Sequence, residues 1–127
     1  MTTRVDEFRD YRKKMNQRIM ELDHHGIKRF FNLDTNAYKG DGALDAKTLE
    51  LLGLVASMVL RCDDCISYHV AQCKDAGASR DELFETFSVA LVVGGSIVIP
   101  HLRRAVDFLD QVEGEGGHAA KPDHSHG

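Results

Sequence analysis

Apolar residues recur every three or four positions along most of the chain, the spacing that places side chains on one face of an α-helix. Residues 5–23 follow this pattern with charged residues in the gaps, and they predict an amphipathic surface helix. A shorter apolar pattern predicts a second helix over residues 27–36, after the helix-ending Gly26. No segment shows the convincing alternation of apolar and polar residues that a half-buried strand would. The pattern therefore predicts an all-α fold of five or six helices.

Capping residues mark the helices that follow. Asp45 is a typical N-cap for a helix over residues 46–60, and Ser79 with Glu82 forms a capping box that begins a later helix. Gly77 predicts the end of the helix between them, which begins around residues 62–64. We expect the 46–60 helix to be deeply buried in its second half and to have an inward stripe of Leu49, Leu52, Val55, Met58 and Val59.

The C-terminal part divides into a helix and a tail. A last helix is predicted from Ser96 to about Val112, with Pro100 in its first turn or at its true start. Residues 114–127 have no apolar periodicity and are rich in glycine and histidine. We therefore predict a single helical domain over residues 1–113 and a disordered tail over residues 114–127.

Composition narrows the classes of function. A chain of 127 residues and 14.2 kDa forms one domain at most, and a net charge of -4 argues against a protein that binds nucleic-acid phosphates. The longest apolar runs, residues 51–60 and 88–99, are shorter than the roughly 20 residues of a membrane-spanning helix. The N-terminus has no apolar stretch typical of a secretory signal, so we expect a cytoplasmic protein. In that compartment three cysteines indicate catalysis or metal binding rather than structural disulfides.

All three cysteines lie in the stretch LRCDDCISYHVAQC, residues 60–73. On one helix, Cys62, Cys65, His69 and Cys73 fall within about 80° of one another, on a single face. Cys62 and Cys65 are three residues apart, which permits the Cα separation of about 4.4–6.8 Å that a disulfide requires. His69 follows Cys65 by one turn, so the imidazole can reach that thiol directly or through one water molecule.

A zinc site is a weaker interpretation of these residues. Cys62 and Cys73 are roughly 16 Å apart along a straight helix, too far to share one tetrahedral ion. A site made of Cys62, Cys65, His69 and one outside ligand stays open, although the only nearby candidate motif is the pair His124 and His126 in the tail. We predict neither a metal nor a cofactor.

A redox-active dithiol explains the same spacing better than a pair of buried structural cysteines, which is the remaining alternative. A helix N-terminus, an adjacent imidazolium and a CxxC spacing all favour the thiolate, which is the reactive form. Asp63 and Asp64 act against the thiolate through their negative charge. Cys73 has no partner at this spacing and is predicted to be a core thiol.

The stretch from residue 44 to 109 resembles the carboxymuconolactone decarboxylase superfamily, specifically its alkylhydroperoxidase AhpD-like branch. The resemblance is carried by a glutamate 12 residues before the first cysteine, the CxxCxxxH core, the AGAS turn with its cap and the GG break at residues 94–95. It implies that Glu50 and His69 form a proton relay that deprotonates Cys65. It also implies that Cys62 and Cys65 cycle between dithiol and disulfide while a peroxide or disulfide substrate is reduced.

The resemblance further implies partners and an assembly. An unidentified thiol reductant, a protein or a lipoyl-type group, would regenerate the dithiol. The first 40 residues depart from the long two-repeat form of AhpD, so the chain is similar to the short form, for which a homotrimer or homohexamer is expected. The expected function is a thiol-dependent antioxidant peroxidase or disulfide oxidoreductase.

The residues and the resemblance allow more than one role for two positions and more than one function for the chain. Glu50 lies about 18 Å from Cys62 on a straight helix, so it reaches His69 only if the chain turns before Cys62. His101 occupies a position loosely similar to one in the family. One alternative function is non-redox chemistry on a small acid or lactone, against which the dithiol argues because true carboxymuconolactone decarboxylases lack it. A second alternative is a helical oligomeric binding protein with a regulatory dithiol.

Overall fold

The computed structural model describes residues 3–120, with side chains described as far as Gly114. These residues form six α-helices and no strand, which confirms the all-α prediction. The helices are α1 (Arg4–Glu21), α2 (His25–Ala37), α3 (Ala46–Leu60), α4 (Asp63–Asp75), α5 (Arg80–Gly94) and α6 (Ile99–Ala120), with a short 3₁₀ turn (Ser96–Val98) between α5 and α6.

The predicted capping residues occupy the helix ends. The Asp45 carboxylate accepts a hydrogen bond from the Thr48 amide at 2.8 Å and so caps α3. At the start of α5, the Ser79 hydroxyl accepts from the Glu82 amide and the Glu82 carboxylate accepts from the Ser79 amide. Gly77 follows α4 with φ of 93°, a left-handed conformation that glycine adopts without strain.

The core lies between α3, α4, α5 and α6. Helix α3 packs against both α4 and α5, while α6 packs against α4 and α1. An edge-to-face contact of Phe8 with Phe108, with ring centroids 5.4 Å apart, fixes α1 to α6. The largest fully buried side chains are Phe108, Leu54, Met58, Ile66, Leu83 and Leu109.

The predicted inward face of α3 is wrong in part. The buried residues of this helix are Glu50, Leu54, Ser57 and Met58. Of the predicted stripe only Met58 is fully buried, and Leu52 is 49% exposed. The second half is not deeply buried throughout, because Leu60 is 75% exposed. Helix α3 is apolar on nearly every side, so apolar periodicity alone does not identify the face that carries Glu50.

Helix α6 continues past the predicted end near Val112 and reaches Ala120. Residues 114–120, placed in a disordered tail by the sequence pattern, are thus helical, because a helix anchored by packing extends at little cost per residue. Residues 121–127, with His124 and His126, lie outside the described residues. None of the helices between residues 3 and 120 has both the length and the apolar character to cross a bilayer.

Helix α2 leaves an apolar face uncovered. None of its residues is buried, and Phe30 and Leu33 are 63% and 66% exposed. Ile27 lies on the same side, one turn earlier, and is also exposed. More apolar side chains are exposed at the end of α5 and in the turn that follows: Val89, Val92, Val93, Ile97 and Ile99.

Candidate active site

The cysteine pair sits at the turn that joins α3 to α4. Arg61 takes a left-handed conformation with φ of 61°, which ends α3 and reverses the chain. Cys62 then becomes the N-cap of α4, and its sulfur accepts a hydrogen bond from the Cys65 amide at 3.3 Å. The two sulfurs are joined in a disulfide, with Cα atoms 5.3 Å apart. Cys62 therefore occupies the position where a helix best stabilises a negative charge.

Reversal of the chain at Arg61 brings Glu50 to His69. Helix α4 runs back along α3, so that His69 Nδ1 lies 2.8 Å from Glu50 Oε1. The His69 and Glu50 side chains are only 9% and 6% exposed. The separation of about 18 Å along a straight helix is thus removed by the turn, and the two residues form a buried pair. A carboxylate that accepts from Nδ1–H leaves Nε2 as the ring nitrogen able to accept a proton.

Gly53 makes this pair possible. A Cβ atom at Gly53 would lie 2.6 Å from His69 Cε1 and 2.8 Å from Nε2. The imidazole therefore lies directly against the α3 backbone, in space that any larger residue would fill. Sequence reasoning missed this residue, although glycine inside a predicted helix costs about 1 kcal/mol relative to alanine and signals a close approach.

Two tyrosines enclose the imidazole. The rings of Tyr38 and Tyr68 each lie 5.1 Å from the His69 ring, one from the end of α2 and the other from the preceding position on α4. Burial raises the pKa of Tyr38, and the charges of Asp34 and Glu50 raise it further. Burial, followed by the Glu50 charge, also raises the pKa of Tyr68, so both phenols are neutral at pH 7 and can donate hydrogen bonds. The analysis of the sequence did not single out either residue.

Cys73 lies in the core, away from the disulfide. Its side chain is fully buried and its thiol is free. Burial, with a smaller contribution from the Glu50 charge, raises the pKa of the Cys73 thiol to about 12. At neutral pH this residue is a protonated thiol that packs as a small apolar group.

The acids between the cysteines contact basic side chains of other helices. Asp63 Oδ1 lies 2.8 Å from His101 Nδ1, and Asp63 Oδ2 accepts a hydrogen bond from Arg104 Nε at 2.9 Å. Asp64 lies 3.5 Å from an Arg12 nitrogen. The sequence pointed to His101 only through a loosely similar family position, and neither Arg12 nor Arg104 carried a signal.

Of the predicted site residues, Cys62 and Cys65 form one pair and Glu50 and His69 another, and Cys65 and His69 stand one turn apart on α4. Among the described residues, no group of three or more His, Cys, Asp or Glu side chains is arranged to hold a metal ion. The arrangement offers a sulfur pair at a helix N-terminus beside a buried imidazole–carboxylate pair. Such groups support proton transfer coupled to thiol chemistry.

The model of the carboxymuconolactone decarboxylase family matches residues 27–108. Uncharacterized protein 4 in the cox locus of Paracoccus denitrificans is 31% identical over 74 residues, covering 58% of this chain and 67% of that protein. An uncharacterized protein of Cupriavidus necator is 29% identical over 70 residues, covering 55% of this chain and 62% of that protein.

Solved structures extend the likeness to most of the chain. TM1620 of Thermotoga maritima superposes with a TM-score of 0.84 at 53% identity, covering 88% of this chain and 97% of that one. A second crystal structure of TM1620 describes it as a member of the same family with a suggested involvement in the antioxidative response. Apo-lpg0406 of Legionella pneumophila, also of this family, superposes with a TM-score of 0.70 at 27% identity, covering 84% and 97% of the two chains.

Proposed function

Because the chain belongs to the carboxymuconolactone decarboxylase family, and because it carries a CxxC pair beside a buried acid–imidazole pair, we propose that it is a thiol oxidoreductase of the AhpD-like branch. Cys62 and Cys65 cycle between dithiol and disulfide and reduce a peroxide or a disulfide. His69 is the base, and Glu50 orients its ring and stabilises the imidazolium that forms when His69 takes the proton. The observation that carries the proposal is the 2.8 Å contact of buried Glu50 with His69, one helical turn from Cys65.

The relay removes the thiol proton. Glu50 accepts the Nδ1–H hydrogen bond, so His69 takes the Cys65 proton on Nε2, directly or through one water molecule. The carboxylate stabilises the imidazolium that results. Burial makes this stabilisation stronger than it would be in water, because the local dielectric constant is low.

Peroxide reduction then follows in two steps. A thiolate of the pair attacks a peroxide oxygen, the O–O bond breaks, and the leaving oxygen takes the relay proton to give an alcohol or water. The cysteine is now a sulfenic acid, and the second thiol attacks its sulfur, releases water and forms the Cys62–Cys65 disulfide. With a disulfide substrate, thiol–disulfide exchange forms the same bond and releases two thiols.

An external dithiol, from a protein or a lipoyl-type group, returns the two electrons. The suggested antioxidative involvement of TM1620 supports this class of reaction. A cytoplasmic location suits the cycle, since a reducing compartment supplies thiol reductants.

A second copy of the chain is the proposed cover for the apolar face of α2, and the expected assembly is a homotrimer or homohexamer. Phe30 and Leu33 project from a helix with no buried residue. Neighbouring exposed apolar side chains of this kind are typical of surfaces that associate with another protein. The carboxyl end of α2 also leads to Tyr38, which packs on His69, so assembly would hold one wall of the site.

The test is a count of thiols. Fully reduced protein is treated with one equivalent of hydrogen peroxide, and free thiols are titrated before and after. The wild type and a Cys73→Ser control should each lose two thiols together, whereas Cys62→Ser and Cys65→Ser should form no intramolecular disulfide. Loss of a single thiol per peroxide in the wild type, or no loss, would remove the dithiol mechanism and leave the binding-protein or non-redox alternatives.

A further experiment tests the base. The alkylation rate of Cys65 is followed against pH in the wild type and in His69→Ala. The thiolate should appear at higher pH in the variant, because the proton acceptor is gone. An unchanged profile would exclude His69 from this role.

A further inference from the structure

Two carboxylates lie between the active-site cysteines, where their charge opposes a thiolate. Asp63 and Asp64 form the first turn of α4, directly after Cys62. Negative charge at a helix N-terminus is stabilised by the helix dipole, but a carboxylate near a thiol disfavours the thiolate form of that thiol. The structure places cations from two other helices against these acids.

Asp63 is held at both oxygens. Oδ1 lies 2.8 Å from His101 Nδ1, and Oδ2 accepts from Arg104 Nε at 2.9 Å. His101 and Arg104 are three residues apart on α6, and Arg104 Nη2 lies 3.3 Å from His101 Nδ1. The Asp63 and Arg104 side chains are about half exposed, and that of His101 is mostly covered. Such two-point binding fixes the carboxylate in orientation as well as in charge.

Asp64 is compensated less completely. Its one described cation, Arg12 on α1, lies 3.5 Å away. The Arg12 guanidinium also stacks over the ring of Tyr68 at 4.3 Å, so its position serves two contacts. Of the two spacer acids, Asp63 is therefore the one whose charge and direction the fold controls most closely.

We propose that Arg104 and His101 are positioning residues for the dithiol. Both side chains hold the Asp63 carboxylate on the α6 side of the first turn of α4, and the Arg104 charge offsets the charge of Asp63, so that Cys62 at the N-cap can also ionise when the dithiol reacts. This inference rests on the proposed function in one respect, which is that the Cys62–Cys65 dithiol is the reacting group.

The test measures thiolate directly rather than turnover. Reduced protein is alkylated with iodoacetamide over a range of pH, and the rate at each cysteine is read by peptide mass spectrometry. Arg104→Gln should move the Cys62 profile to higher pH, and Asp63→Asn should move it to lower pH. One nearby charge in half-exposed surroundings should change the thiolate population by about three- to tenfold at a fixed pH.

Matched variants separate this role from general electrostatics. Arg103→Gln removes the same charge from the neighbouring exposed position of α6 and should leave the profile unchanged, whereas Arg104→Lys should restore part of it. In an Asp63→Asn background, Arg104→Gln should have little effect, because Asp63 no longer holds the guanidinium at the turn.

Equal shifts from Arg103→Gln and Arg104→Gln, or full additivity of the Asp63 and Arg104 substitutions, would overturn the inference. Because the Asp63 and Arg104 side chains are about half exposed, we expect the variants to fold, and far-ultraviolet circular dichroism checks this. If the thiolate shifts occur but peroxide oxidises no thiol pair, the proposed function fails and the positioning role stands.

Discussion

Replacement of Gly53 by alanine tests whether the His69–Glu50 pair depends on close contact between α3 and α4. The new Cβ would lie 2.6 Å from His69 Cε1, well inside van der Waals contact, so the imidazole must move. The ring has little room to do so, because Tyr38 and Tyr68 lie against it. Movement breaks the 2.8 Å contact with Glu50 and leaves a buried carboxylate without its partner.

The sign of the effect distinguishes this reasoning from helix propensity. Glycine to alanine inside an unobstructed helix stabilises it by about 1 kcal/mol. Overpacking at a filled site costs about 1–3 kcal/mol. Loss of a hydrogen bond to a charged group costs about 1.5–3 kcal/mol. Together these predict that Gly53→Ala lowers the free energy of unfolding by about 1.5–5 kcal/mol.

Urea unfolding measures this change, and Gly114→Ala is the matched control. Gly114 lies in α6, and a Cβ atom there meets nothing within 4 Å. The control should be as stable as the wild type or more so, with unchanged thiol reactivity. Gly53→Ala should also slow the loss of thiols to peroxide. If it is instead as stable and as reactive as the wild type, His69 does not need the α3 backbone, and the account of the site is wrong.

Three further predictions concern the proton relay, the core thiol and the apolar face of α2. Glu50→Gln should slow thiol oxidation by peroxide at least about tenfold, because the amide cannot stabilise the His69 imidazolium; stopped-flow kinetics measures the rate. Burial raises the pKa of Cys73 from 9.0 to about 12 in the folded protein. Above pH 9 the unfolded chain loses this proton first, so the free energy of unfolding falls by about 1.4 kcal/mol per pH unit. Cys73→Ala should remove this contribution, which urea unfolding at several pH values measures. The double variant Phe30→Asp, Leu33→Asp should form smaller assemblies than the wild type in light scattering. Each of the two apolar side chains should contribute about 1.5–3 kcal/mol to the free energy of association when a second copy covers it.

Local signals located the starts of α3 and α5, whereas the inner face of α3 and the end of α6 depended on tertiary packing. Asp45 and Ser79 cap α3 and α5 as predicted, because a cap is a contact between residues three apart. The face of α3 was predicted wrongly because apolar residues surround the helix. Its inner face carries Glu50, a residue that a hydrophobic pattern places outside.

The candidate site shows the same division. Helical spacing predicted Cys62, Cys65 and His69 on one face. The role of Glu50 beside His69 was implied only by the family resemblance. Arg104 escaped detection because its contact with Asp63 spans 41 residues and depends on how α6 crosses the start of α4. No periodicity along the chain encodes such a crossing.

The cost of this arrangement argues for its use. A buried acid–imidazole pair seldom stabilises a fold more than apolar residues of equal volume would. Gly53 adds a second cost, since alanine is the better helix former. Both costs fall on one imidazole, one turn from a cysteine pair at a helix N-terminus. Departures from local preference that converge on a single side chain are typical of functional sites, which supports the proposal that His69 transfers the proton.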